Sequence, residues 1–120
     1  MVNGHIMEGI WALPDEPTIC INIKEVIDLI KLRQLTPHCI KISDIAFKDL
    51  SVICTKSSRY LKANTNYPVV VVKDMVNPFN KPYRLIDGRH RLLKYKNNKE
   101  NFINAYVLCQ SDITRFFYYV

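Results

Sequence analysis

Glycine is nearly missing from this chain: there are three in 120 residues, at positions 4, 9 and 88, so that everything from Ile10 onward uses it once. A backbone that avoids glycine so consistently marks position 88 as a place where a positive φ or a close approach is required. Long apolar runs are absent as well. The longest β-branched block, the four valines at 69–72, falls far short of the roughly 18 residues a membrane-spanning helix needs. No basic stretch leads into an apolar run at the N-terminus, which argues against a secretory leader and for a soluble, cytoplasmic protein with no membrane partner. Cys20, Cys39, Cys54 and Cys109 contain no C-x-x-C pair, which excludes a zinc ribbon and a thioredoxin-type redox motif; free, buried thiols are expected. The histidines at 5, 38 and 90 are too scattered to suggest a metal set, and no structural metal is expected.

What is present is enough hydrophobic residue, 48%, to close one core, in a chain too short for two ordinary ones. The net charge of +6 is concentrated. Residues 81–99 hold seven basic side chains against one acid, Asp87, while the remainder nearly balances. A localised basic face suits an anionic partner such as a nucleotide, a nucleic acid or an acidic protein; for the lysines, a solvated helix surface is the alternative.

Hydrophobic spacing divides the chain into elements. The residues through Pro14 and Pro17 show no period and read as an irregular lead-in. Ile23, Val26, Ile27 and Ile30 recur at helical spacing among charges, which predicts an amphipathic helix over 22–34, closed by Pro37. Alternation over 40–43 predicts a half-buried strand with Asp44 at its turn. Phe47, Leu50 and Ile53 fit a short helix, and 56–61 a polar loop entering a helical turn. The valines within 67–72 predict a strand buried on both faces. A turn-rich connection over 73–82 leads to its antiparallel partner at 83–86. A helix with a wet basic side follows Gly88 and ends at Asn97-Asn98. Residues 102–108 return to strand, and Ser111-Asp112 caps a final helix over 113–118 that packs the aromatic run at 116–119. The fold class is α+β, or mixed α/β, with a small mixed sheet.

Gly88 sits where a predicted strand becomes a predicted helix. The first amides of a helix lack intrahelical partners, and the positive end of the helix dipole points the same way, so phosphate is a natural guest there. Arg89, His90 and Arg91 add charged donors at that point, with Arg91 expected on an exposed first turn. A plain tight turn with arginines in solvent is the competing reading; Asp-Gly joined to Arg-His-Arg between strand and helix favours the phosphate. Asp87 is a candidate base or metal ligand, or alternatively a structural acceptor for the turn's amides.

The run Tyr83-Arg84-Leu85-Ile86-Asp87-Gly88-Arg89-His90-Arg91-Leu92-Leu93 resembles the signature of the ParB/sulfiredoxin-like family, in which a strand ends in a glycine turn followed by a His/Arg-Arg helix start. Pro68-Val69-Val70-Val71-Val72 and Ile103-Asn104-Ala105-Tyr106-Val107 stand where that family places its flanking strands. The resemblance covers residues 40–120, with 1–39 as an N-terminal extension carrying one helix packed on the domain. It implies a nucleotide of the ATP or CTP type, accompanied where phosphoryl transfer occurs by Mg2+, with phosphates held by Gly88, His90 and Arg91. Arg89 occupies the position of the reactive cysteine of sulfiredoxins, so sulfinic-acid repair is not implied. Lys56-Ser57-Ser58-Arg59 lies where the family has a second polar patch, making Ser57, Ser58 and Arg59 further candidates. ParB partition proteins continue into DNA-binding and dimerisation segments that this sequence does not reach. Three functions follow: a nucleotide-dependent enzyme using Asp87; a DNA-binding or nuclease-like module with Lys94, Lys96 and Lys99 as a nucleic-acid track; or a non-catalytic interaction protein.

Overall fold

The computed structural model describes residues 10–13, 16–47, 50–75, 77 and 79–119. The first nine residues, on which the expectation of no leader and part of the irregular lead-in fall, lie outside the described residues. In chain order the elements are β1 (Ile10–Leu13), β2 (Glu16–Asn22), α1 (Ile23–Leu32), β3 (His38–Lys41), β4 (Ile45–Ala46) and α2 (Ser58–Lys62). They continue with β5 (Val69–Lys73), β6 (Tyr83–Asp87), α3 (Arg89–Asn97), β7 (Phe102–Cys109), α4 (Gln110–Ile113) and β8 (Phe117–Tyr119). The fold class is α+β, as expected. Among the described residues no helix is long and apolar enough to cross a membrane.

The main sheet is mixed, in the order β3-β7-β5-β6-β4. β5 lies at its centre, antiparallel to β6 and parallel to β7. Its valines alternate between two cores. Val69 and Val71 face Leu85, Leu92, Ile103 and Ala105 on the side of α3, while Val70 and Val72 face Val26, Ile30, Leu108 and Ile113 on the side of α1. All four are at most 3% exposed, which is why this strand has no polar face to show in sequence. Each fully buried valine stabilises the fold by roughly 1.5 kcal/mol or more. The helix of the N-terminal segment thus closes one face of the sheet that carries the rest of the chain, and β3, on the sheet edge, already begins at His38.

α1 is capped by Asn22, whose side chain accepts a hydrogen bond from the Glu25 amide at 3.4 Å. It stops at Leu32, short of the expected residue 34, because Gln34 takes a left-handed conformation with φ 52°. The Gln34 and Leu35 amides then donate back to the carbonyls of Lys31 and Ile30, the Schellman arrangement.

Both ends of the chain depart from expectation. The lead-in around Pro14 and Pro17 contains a hairpin, β1 against β2. The predicted final helix over 113–118 is instead α4, a 3-10 turn over Thr114–Phe116, and β8, which pairs with β2. A strand there satisfies its backbone against a partner nearly a hundred residues away, which no local spacing reveals. The predicted strand over 40–43 is shifted: it covers His38–Lys41, and the chain then tightens into a 3-10 turn over Ile42–Asp44. The thiols are free, but only Cys20 is buried; Cys39, on the edge strand, Cys109, at a strand end, and Cys54, in the loop before α2, are exposed.

Asp112 caps from a different position than expected: it lies in the first turn of α4, three residues after Cys109, and completes a capping box by accepting from the Cys109 amide at 2.9 Å. It also accepts from Arg33 Nη1 at 2.7 Å, tying the end of α1 to α4. The Arg33 hydrogen bond, then that from Cys109, holds its carboxyl below the ordinary aspartate range. A depressed carboxyl contributes stability that is present above its unfolded pKa of about 3.9 and is lost as pH falls through the lower folded value. Asp112→Asn is therefore expected to flatten the acid limb of a melting-temperature profile below about pH 4. An acid limb identical to that of the wild type would show that the bridge contributes nothing.

Candidate functional site

β6 delivers the chain to Gly88 at the edge of the α3-side core. Gly88 has φ 103° and ψ 26°, a left-handed conformation, and no side chain caps the helix it begins. By contrast, α1 and α2 begin with a side-chain cap. The first amides of α3 are thus left to point outward beside Gly88. The turn is also crowded from beneath: a Cβ at position 88 would lie 2.7 Å from Val69 Cγ1 and 3.0 Å from Arg91 Nη2.

Arg91 is not the exposed first-turn residue expected from sequence. Its side chain is 18% exposed, and its Nη2 donates to Asp87 Oδ2 at 2.9 Å, back across the Gly88 turn. Asp87 ends β6 and Arg91 lies in the first turn of α3, so the guanidinium reaches back over Gly88, where a Cβ would come within 3.0 Å of Nη2. Asp87 accordingly holds Arg91 in place. It uses one of the five N–H donors of the fork and leaves the others available. His90 is half-buried on the same turn.

Arg89 is half-buried on the first turn of α3. Burial, and then the charge of Arg59, hold its guanidinium below the ordinary arginine range. α2 packs against α3, so a residue thirty positions away is brought close enough for its charge to be felt. Among the described residues, neither Arg59 nor Arg89 has a carboxylate partner. Of the other residues in the second polar patch, Ser57 is taken up locally: its hydroxyl oxygen accepts from the Tyr60 amide at 3.2 Å and caps α2. Ser58 opens that helix and is exposed.

The basic stretch of residues 81–99 separates in space. Arg84 is buried at 3% exposure in β6. Lys94 donates from Nζ to the carbonyls of Leu61 and Ala63, both at 2.9 Å, closing the C-terminal end of α2. Its ammonium also lies 5.3 Å from the Tyr60 ring centre. Lys94 is therefore a strut between α2 and α3, and the three lysines do not form one continuous track. Lys96 and Lys99 are carried to the far end of α3, where they border a groove together with Lys81, from the start of the same basic stretch, and Lys41, which the sequence did not connect to them.

Comparison of the chain with protein-family models, with curated proteins and with solved structures finds no match in any of the three.

Proposed function

We propose that the chain binds a nucleotide of the ATP or CTP type through its phosphates at the start of α3, as the resemblance to ParB/sulfiredoxin-like proteins implies. The observation that carries this reading is the uncapped start of α3 behind the left-handed Gly88, with Arg91 packed over the turn and Arg89, which the charge of Arg59 reaches, on its first turn. Like charges brought together and partly desolvated are stabilised by an anion placed among them. The first-turn amides of α3 and the remaining donors of Arg91 would add hydrogen bonds to an anion held there.

The role proposed is binding. Phosphoryl transfer would call on Asp87 as base or metal ligand, and its carboxylate is directed at Arg91 instead. Asp87 is the one acid of residues 81–99, so Mg2+ would be held by the nucleotide's own phosphates more than by this turn.

Calorimetric titration with ATP, ADP, CTP and GTP tests the reading, with Arg91→Lys as the comparison. Lysine keeps the charge but cannot make two parallel bonds to a phosphate. Affinity is expected to fall about tenfold to a hundredfold, the equivalent of one charge-assisted hydrogen bond. Because Arg91 is paired with Asp87 and packed over Gly88, the melting temperature should drop slightly too, by the equivalent of less than about 1 kcal/mol. Equal affinities for both proteins, or no nucleotide bound by the wild type, would defeat the phosphate-site reading.

A further inference from the structure

A groove of about 800 Å³ lies at the far end of α3 from Gly88. The nine residues of α3 separate the two places by about 13 Å at 1.5 Å per residue. Its walls are the end of β3 with the 3-10 turn after it, the loop before β6, and the segment joining α3 to β7. Among the described residues, Lys41, Lys81, Lys96 and Lys99 border it with one carboxylate, that of Glu100. Among the described residues none of the four lysines forms an ion pair. Lys99 is aimed by backbone geometry: it is the left-handed residue, φ 60°, that ends α3 in a Schellman arrangement, with the Glu100 amide donating to the Tyr95 carbonyl at 3.0 Å.

The groove also exposes aromatic rings. Phe79 is 58% exposed and Phe102 49%, while Phe47 lies beneath the Lys96 ammonium, 4.8 Å from its ring centre. Phe79 stands on a loop fixed from within. Asn77, 6% exposed, donates to the carbonyls of Met75 and Lys81 at 3.0 and 2.8 Å, and accepts from the amides of Phe79 and Lys81 at 3.1 and 3.0 Å. A buried amide with four hydrogen bonds thus holds an apolar ring out in water, next to a lysine. A rigid ring presented in this way loses little freedom on binding.

We infer that this groove binds single-stranded nucleic acid, with the phosphates neutralised by Lys41, Lys81, Lys96 and Lys99 and unpaired bases stacked on Phe79 and Phe102. Charge complementarity selects a polyanion, and the exposed rings select one with flat apolar faces to offer. An acidic peptide would satisfy the lysines and leave the rings in water. Duplex DNA covers its base faces with one another, so only its backbone could engage. Stacking on aromatic side chains beside a basic groove is the general means of holding single strands without reading sequence. The inference stands independently of the nucleotide site at Gly88.

The test is fluorescence anisotropy of a labelled oligo(dT) of on the order of ten nucleotides, titrated with the full chain at several salt concentrations. Binding is expected with a salt slope near −3, from about −0.7 per neutralised phosphate. Phe79→Ala and Phe102→Ala should each weaken it about fivefold to a hundredfold, and Phe79→Trp should restore it. Both rings are exposed, so melting curves of the alanine variants should match the wild type. Lys41→Ala with Lys81→Ala should reduce the slope by about 1.4, and Arg89→Gln should leave oligonucleotide binding unchanged. No binding at low salt, equal or tighter binding of duplex DNA, or displacement by poly-glutamate with no sensitivity to Phe79 and Phe102 would each overturn the inference. So would a loss in Arg89→Gln equal to that in Phe79→Ala.

Discussion

Gly88→Val is expected to destabilise the fold by about 3 kcal/mol or more, a drop in melting temperature on the order of 10 °C. Two effects add. At φ 103° any side chain is strained, and a β-branched one most. The second effect is contact: the new Cβ would lie 2.7 Å from Val69 Cγ1 and 3.0 Å from Val69 Cβ. Val69 is fully buried in the central strand and cannot withdraw without opening the core beneath α3. The remaining close atom, Arg91 Nη2 at 3.0 Å, belongs to a long side chain that can swing aside, but only by leaving Asp87. Gly88→Ala separates the terms, since it meets the same Val69 atoms without β-branching; about half the loss is expected from it. Thermal melting of both variants is the measurement. Wild-type stability in Gly88→Ala would show that position 88 relaxes freely and would remove the account of why glycine is kept here.

That turn was legible because its causes are local. A lone glycine, an acid before it and three basic residues after it occupy five consecutive positions, and the period changes from two to about 3.6 across them. The valines of β5 were legible for the same reason, since four β-branched residues in succession leave little choice but a buried strand. Where the structure is settled by distant partners, spacing was silent. β8 becomes a strand by pairing with β2, and the aromatic run at 116–119 is compatible with helix until that partner is known. The alternation over 40–43 continued two residues too far because the chain turns into its 3-10 segment at Ile42, whose amide donates to the Asn101 carbonyl at 2.9 Å.

Charge was the least legible property. One basic stretch in sequence becomes, in space, a buried Arg84, a paired Arg91, a Lys94 that closes α2, and separate groups at the two ends of α3. The groove residues Lys41, Phe79 and Phe102 come from three different segments, so no window along the chain contains them together. Arg59 was accessible only through the resemblance. What connects it to Arg89 is the packing of α2 on α3, and the five residues of α2 gave no periodic signal of their own.

The double variant Arg59→Gln, Arg89→Gln should move stability and affinity in opposite directions. A guanidinium whose pKa is lowered by folding carries a charge that the folded state disfavours, first through burial and then through its like-charged neighbour. Replacing both cations by neutral amides of similar reach removes that repulsion, and the melting temperature is expected to hold or rise slightly. Affinity for the best-binding nucleotide should fall at the same time. Charge-assisted hydrogen bonds contribute roughly 1.5 to 3 kcal/mol each, so two together correspond to a loss of at least about a hundredfold. The combination is diagnostic, because a variant that lost affinity by misfolding would also lose stability. It also separates the two proposed sites: oligonucleotide binding in the groove lined by Lys96 and Lys99 should be untouched, whereas nucleotide binding should be nearly abolished. Melting curves, calorimetric titration and oligonucleotide anisotropy on the same preparation give all three quantities. Unchanged nucleotide affinity would mean that Arg59 and Arg89 come together for reasons of packing alone, and the phosphate would have to be sought elsewhere.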